Sequence, residues 1–176
     1  YLAQAVWYDD FRLMRYATEA QLAGRTARPI GQKLTAALPP TDQKQQRPAT
    51  ITIEAVTHPP QISVGVPLPV ELVFAINTPE VRPLRWFVQL LDGNGFPAAM
   101  LDTAPLDGYT DFGSLPANRP LKEKAGIWIP LDAPAGEYRL IGGLYDPGMG
   151  NQRLVTQSGS DHIELGLIQI TQLPQN

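Results

Sequence analysis

Cysteine is absent from the 176 residues, which excludes a disulfide framework, a thiolate zinc site and a cysteine nucleophile. Histidine is nearly absent as well. His58 precedes Pro59 and Pro60, and His162 stands alone near the C-terminal end, so two histidines without cysteine leave no expected metal site. No apolar run approaches the roughly 18 residues of a membrane span. The opening YLAQAVWYDDFRLMRY lacks the charged-then-apolar layout of a signal peptide. The chain begins at Tyr1 rather than Met, and we expect it to be a portion of a longer protein or a processed form. Basic residues are scarce after residue 50: residues 51–176 hold seven Lys or Arg against thirteen acids, whereas residues 1–50 hold seven against four. A surface that tracks phosphates needs clustered cations, so the acidic body excludes nucleic acid as a partner.

Proline and glycine are plentiful, 18 and 15 residues, which implies many turns and few long helices. In residues 1–23, Leu2, Val6, Leu13, Tyr16 and Ala20 loosely suit a helix face, and a helical segment is expected there. Residues 24–50, rich in Pro, Gln, Thr and charge, read as a linker or a strap across the surface.

From residue 51 short apolar runs alternate with turn residues, the spacing of a sandwich. Strands are expected at ITIEAV (51–56), LPVELVFAI (68–76), PLRWFVQLLD (83–92), PAAML (97–101), KAGIWIPL (124–131), EYRLIGGLYD (137–146), NQRLVT (151–156) and DHIELGLIQIT (161–171). Alternation puts Val70, Leu72, Phe74 and Ile76 on one face, and likewise Leu84, Trp86, Val88 and Leu90. DGNG at 92–95 marks a hairpin. No segment after residue 50 carries a helical period long enough for a crossover helix, which removes a parallel α/β sheet. Asp132, Gly136 and Tyr138 in DAPAGEYRL match a tyrosine corner, and Trp86 falls on the third strand where immunoglobulin-like sandwiches keep a core Trp. The expected architecture is all-β: an immunoglobulin-like antiparallel β-sandwich over 51–176, preceded by a partly helical extension and linker over 1–50. The alternation and turn signals are complete within 51–172, so this part is expected to fold without the leader.

The runs VELVFAI, WFVQLLDGNGFPAAMLDTAPLDG, IPLDAPAGEYRLIGGLYDPGMGNQRL and DHIELGLIQI resemble the C-terminal soluble β-sandwich domain of bacterial multi-spanning membrane glycosyltransferases. That group is similar to dolichyl-phosphate-mannose protein mannosyltransferases and is of the Chloroflexus type. The resemblance covers roughly residues 65–172, and GLYDPGMGNQRL is its specific part. It implies an extracytoplasmic accessory domain, membrane-tethered through a portion absent from this chain. Its partner would be the membrane domain of the parent protein, which carries the catalytic residues. The alternative reading is a free-standing cell-surface adhesion module with no enzymatic partner.

The remaining motifs argue against chemistry in the chain itself. GNGFPA at 93–98 lacks the helix that a phosphate site needs. DFG at 111–113 has no kinase loops around it. Ser158, Ser160 and His162 are neighbours in sequence and lack a nucleophile elbow. Asp102, Asp107 and Asp111 form an acidic cluster without EF-hand spacing and read as turn aspartates. No catalytic residue, metal ligand or cofactor is therefore expected. YDPGMGNQR at 145–153 reads as turn chemistry, with Gly142 and Gly143 marking a bulge or the close approach of a neighbour, taken to be the Trp86 ring. For weak glycan or protein binding the candidates are aromatics able to stack on a sugar face: Tyr109, Phe112, Trp128 and Tyr145, the last alternating outward from Tyr138, Leu140 and Leu144.

Overall fold

The computed structural model describes residues 2–8, 11–16, 22–36, 50–78, 83–117 and 119–172, with side chains from residue 22 onward except at Thr78. The first elements are β1 (Leu2–Tyr8) and β2 (Phe11–Tyr16), paired antiparallel with Tyr8 opposite Phe11. The helix expected here is thus replaced by a hairpin. The period seen in Leu2, Val6, Leu13 and Tyr16 is weak, and the aromatic residues of these segments, Trp7, Tyr8, Phe11 and Tyr16, favour extended pairing; Ala20 lies outside the described residues.

The expected linker also changes character. β3 (Arg28–Thr35) pairs antiparallel with β4 (Thr50–Thr57), Leu34 opposite Ile51. Its pattern hides the signal, since Leu34 is its one buried position and Pro29 and Gly31 interrupt the run. Residue 50 is therefore not where the sheet begins.

Six of the elements that follow fall on expected strands, whereas the strand at 61–63 was not expected and the expected strand over 151–156 divides into two short ones in opposite sheets. In chain order come β5 (Gln61–Ser63), β6 (Pro67–Thr78), β7 (Arg85–Leu91), β8 (Pro97–Thr103) and β9 (Pro120–Trp128). Then come β10 (Gly136–Asp146), β11 (Gln152–Arg153), β12 (Val155–Thr156) and β13 (Ile163–Thr171). One sheet runs β12-β3-β4-β6-β9, and the other runs β5-β13-β10-β7-β8 with β11 added beside β10. All pairs are antiparallel except β5 with β13. Sheet on sheet with this order is an immunoglobulin-like sandwich.

The inward residues of both sheets form one core. Val70, Leu72, Phe74 and Ile76 from β6 meet Trp86, Val88 and Leu90 from β7, all at 1% exposure or less. The Phe74 ring lies 5.9 Å from Trp86 and 5.6 Å from Phe112, the latter edge-on. On β9, Ile127 is buried and Trp128 is only half-buried, and Ile129 beyond the strand is buried too. Alternation thus turns Ile127 and Ile129 inward and Trp128 to the other face. The position two residues past the corner tyrosine, where antibody domains place a disulfide cysteine, is the buried Leu140. Packing alone closes the sheets.

The turns behave as their residues demand. Asp92 Oδ1 accepts from the N–H groups of Asn94 and Phe96, both at 2.9 Å, with Gly95 at φ 84°. Asp146 Oδ1 accepts from Gly148 N at 2.8 Å before Gly150 and Asn151 turn the chain through positive φ. Tyr138 Oη donates to Pro134 O at 2.9 Å, four residues upstream, which is the corner read from the sequence.

Tyr138→Phe leaves that carbonyl without its partner and should cost about 1–2 kcal/mol, read as a lowered urea midpoint; an unchanged midpoint would remove the corner's role. A chain reduced to residues 50–172 loses Leu34 from the core, a burial worth about 1.5–3 kcal/mol, and bares the edge of β4. It should unfold at lower urea than the full chain, and equal midpoints would show that β3 contributes nothing.

Candidate functional site

The outer face of the β5-β13-β10-β7-β8 sheet holds a groove of about 230 Å3, lined by Phe87, Gln89, Met100, Asp102, Tyr145 and Arg153 among others. Alternation puts these side chains there. Odd-numbered positions on β7 and β10 point away from the core, while β8 contributes Met100 and Asp102 opposite Gln89 and Phe87.

Beside the groove lies a small second apolar cluster of Phe87, Leu91 and Ile141, with Tyr145 packed against it, and of these Phe87 and Tyr145 line the groove. The cluster forms because glycine stands at the centre. A Cβ on Gly143 would meet Phe87 Cζ at 2.8 Å, and on the inner face a Cβ on Gly142 would meet Leu165 Cδ1 at 2.6 Å. The close approach expected at this pair is present, but Phe87 and Leu165 make it, not Trp86. The β10–β13 register also shifts just before, between Leu140 and Ile141.

Polar groups rim the groove. Tyr145 Oη donates to Asp102 Oδ1 at 3.0 Å, and Arg85 Nη1 reaches the same oxygen at 3.4 Å. Burial pushes the Tyr145 phenol above its ordinary pKa, against the lowering effect of Arg85. The Arg153 guanidinium stacks 4.3 Å over the Phe87 ring and donates to Gln89 Oε1 at 3.2 Å and Asp161 Oδ2 at 3.3 Å. The His162 ring hydrogen bond, with help from Arg153, holds the Asp161 carboxyl below its usual range. The 145–153 turn is therefore structural in its chemistry and framing in its effect, since its return strand delivers Arg153 and Asn151 to the groove.

The four aromatic candidates do not converge. Tyr145 lies in the groove. Tyr109 is 92% exposed in the connection after β8. Trp128 ends β9 in the opposite sheet, opposite Pro67. Phe112 is corrected outright: at 0% exposure and edge-on to Phe74, it is a core ring with no face to offer a sugar. Phe87, Gln89, Met100 and Arg153 went unread as site residues, although parity marks Phe87 as an apolar residue on the outward face of its strand.

The weighed catalytic motifs resolve into local contacts. Ser160 Oγ donates to the backbone O of His162 at 2.7 Å, while the His162 ring engages Asp161. Asp111 caps the turn at Ser114 N, 2.8 Å away, and Asp102 faces Tyr145. Among the described residues no three His, Asp or Glu converge as metal ligands, and no helix is long and apolar enough to cross a membrane. No protein-family model matches the chain and no curated protein matches it.

Gly143→Ala should destabilise by about 1–3 kcal/mol, because the added methyl displaces the Phe87 ring rather than a free side-chain end. Urea unfolding measures it; a neutral change would mean the ring yields without loss and the groove lining is soft.

Proposed function

We propose that this chain is a non-catalytic binding module that takes a glycan weakly in the groove beneath Arg153. In the fuller reading it is an extracytoplasmic accessory domain of a membrane glycosyltransferase-like protein, holding acceptor or donor glycan near the parent's membrane domain. One observation carries the binding reading: the half-buried Tyr145 ring, backed by the buried Phe87 at a centroid distance of 6.5 Å, is ringed by Asp102, Gln89, Asn151 and Arg153. An apolar platform with a few fixed donors and acceptors suits a ring that is apolar on its faces and hydroxylated at its rim. The attachment rests on the resemblance of GLYDPGMGNQRL and its neighbours, and apolar spans on the same polypeptide in the full gene product would support it. An export signal followed by repeated sandwiches would favour the adhesion module instead.

A glycan array followed by titration of the best hit tests the site. Binding should be lost in Tyr145→Ala and weakened about 5- to 30-fold in Asp102→Asn, on the order of 1–2 kcal/mol for a lost charged hydrogen bond, and should persist in Tyr109→Ala and Trp128→Ala. Binding that survives Tyr145→Ala removes the groove, and steady turnover of a glycosyl donor by the purified chain overturns the non-catalytic reading.

A further inference from the structure

Away from the groove, a carboxylate is buried where the sandwich places apolar side chains. Glu123 shares the inward face of β9 with Ala125 and Ile127 and is 3% exposed. Both of its oxygens face one donor, the backbone N–H of Leu106, at 3.0 and 3.1 Å. That donor belongs to a loop in a costly conformation: Leu106 (φ 52°) and Asp107 (φ 55°) are consecutive non-glycine residues in the left-handed region, followed by Gly108 at φ 90°. The loop presents Leu106, 47% exposed, and Tyr109, 92% exposed, to solvent. A buried carboxylate thus holds down a strained loop by a single amide.

The geometry points to Glu123 as a proton-controlled latch on the loop Ala104–Tyr109: the loop is closed while the carboxyl is neutral and lifts when it ionises. A neutral carboxyl still accepts the Leu106 N–H, whereas an ionised one is deprived of water by the closed loop and gains it only when the loop opens. Asp107 stands next to the anchored amide and repels the ionised form. Across the ladder Glu123 faces Leu72, and the charged neighbours Glu71, Lys122 and Lys124 alternate to the other face, where Lys122 Nζ lies 3.0 Å from Glu71. Burial raises the Glu123 pKa from 4.5 to about 7, offset in part by the Leu106 hydrogen bond and reinforced by Asp107. The closed loop therefore binds the proton more tightly than the hydrated, open one. Closure is favoured in acid and is lost as pH rises through about 7.

Amide hydrogen exchange of the full chain, followed by NMR and corrected for the intrinsic rate, tests this independently of glycan binding. Protection of the Leu106 amide should fall about tenfold between roughly pH 6 and 8, and should be independent of pH in Glu123→Gln. A flat profile in the unaltered chain overturns the latch, as does a slope that survives in Glu123→Gln. Should that variant fail to fold, the carboxyl carbon resonance of Glu123 decides: a titration midpoint shared with the loss of Leu106 protection supports the latch, and separated midpoints overturn it.

Discussion

Two adjacent glycines on the central strand of one sheet set how close this sandwich can pack. β10 lies between β13 and β7, so any side chain at 142 or 143 would hold its neighbours away on one face or the other. With both side chains missing, Leu165 enters the core against Gly142 and the Phe87 ring lies down on Gly143. The first contact lets the core close without a disulfide. The second creates an apolar cluster on a face that would otherwise be covered by solvated side chains. Core density and candidate site thus share one origin, the omission of two side chains.

The core was legible because period-2 alternation survives wherever one sheet face is buried and the other is wet. Trp86, Val88 and Leu90 announce their face, and so does the Tyr138 corner, whose partner lies only four residues away. β3 was illegible for the opposite reason. It contributes Leu34 as its single buried position, and its pairing is fixed by β4 rather than by any pattern of its own. The aromatics were misread because composition does not give direction. Phe112 sits in an irregular connection where no alternation assigns a face, while Phe87 lies in a strand whose parity did assign one. Arg153 depended on register, since only the return of β11 beside Tyr145 brings it over Phe87.

Polar groups mark the limits of the apolar interior. Trp86 Nε1 is buried without a hydrogen-bond partner, a loss of about 1–3 kcal/mol that the ring offsets by filling the centre of the core against Phe74. Glu123 lies under the connection between β8 and β9, the far edges of the two sheets. Thr156 at the opposite edge accepts the Ser160 N–H at 3.0 Å and meets Ser158 Oγ at 2.9 Å. Polar groups at the edges can find backbone donors in the connecting loops. At the centre only shape is available, which is why the one unsatisfied atom is found there among the described residues.

The same accounting bears on affinity at the groove. Its charged groups are already engaged: Asp102 with Tyr145 and Arg85, and Arg153 with Phe87, Gln89 and Asp161. These contacts hold the rim in place before a ligand arrives, which lowers the ordering cost of binding. They also mean that an incoming hydroxyl must share or replace bonds the protein already makes, and each exchange returns little net free energy. In the proposed binding role, such a site would select by shape and by the aromatic face while binding weakly, a combination suited to holding a chain that must also be let go.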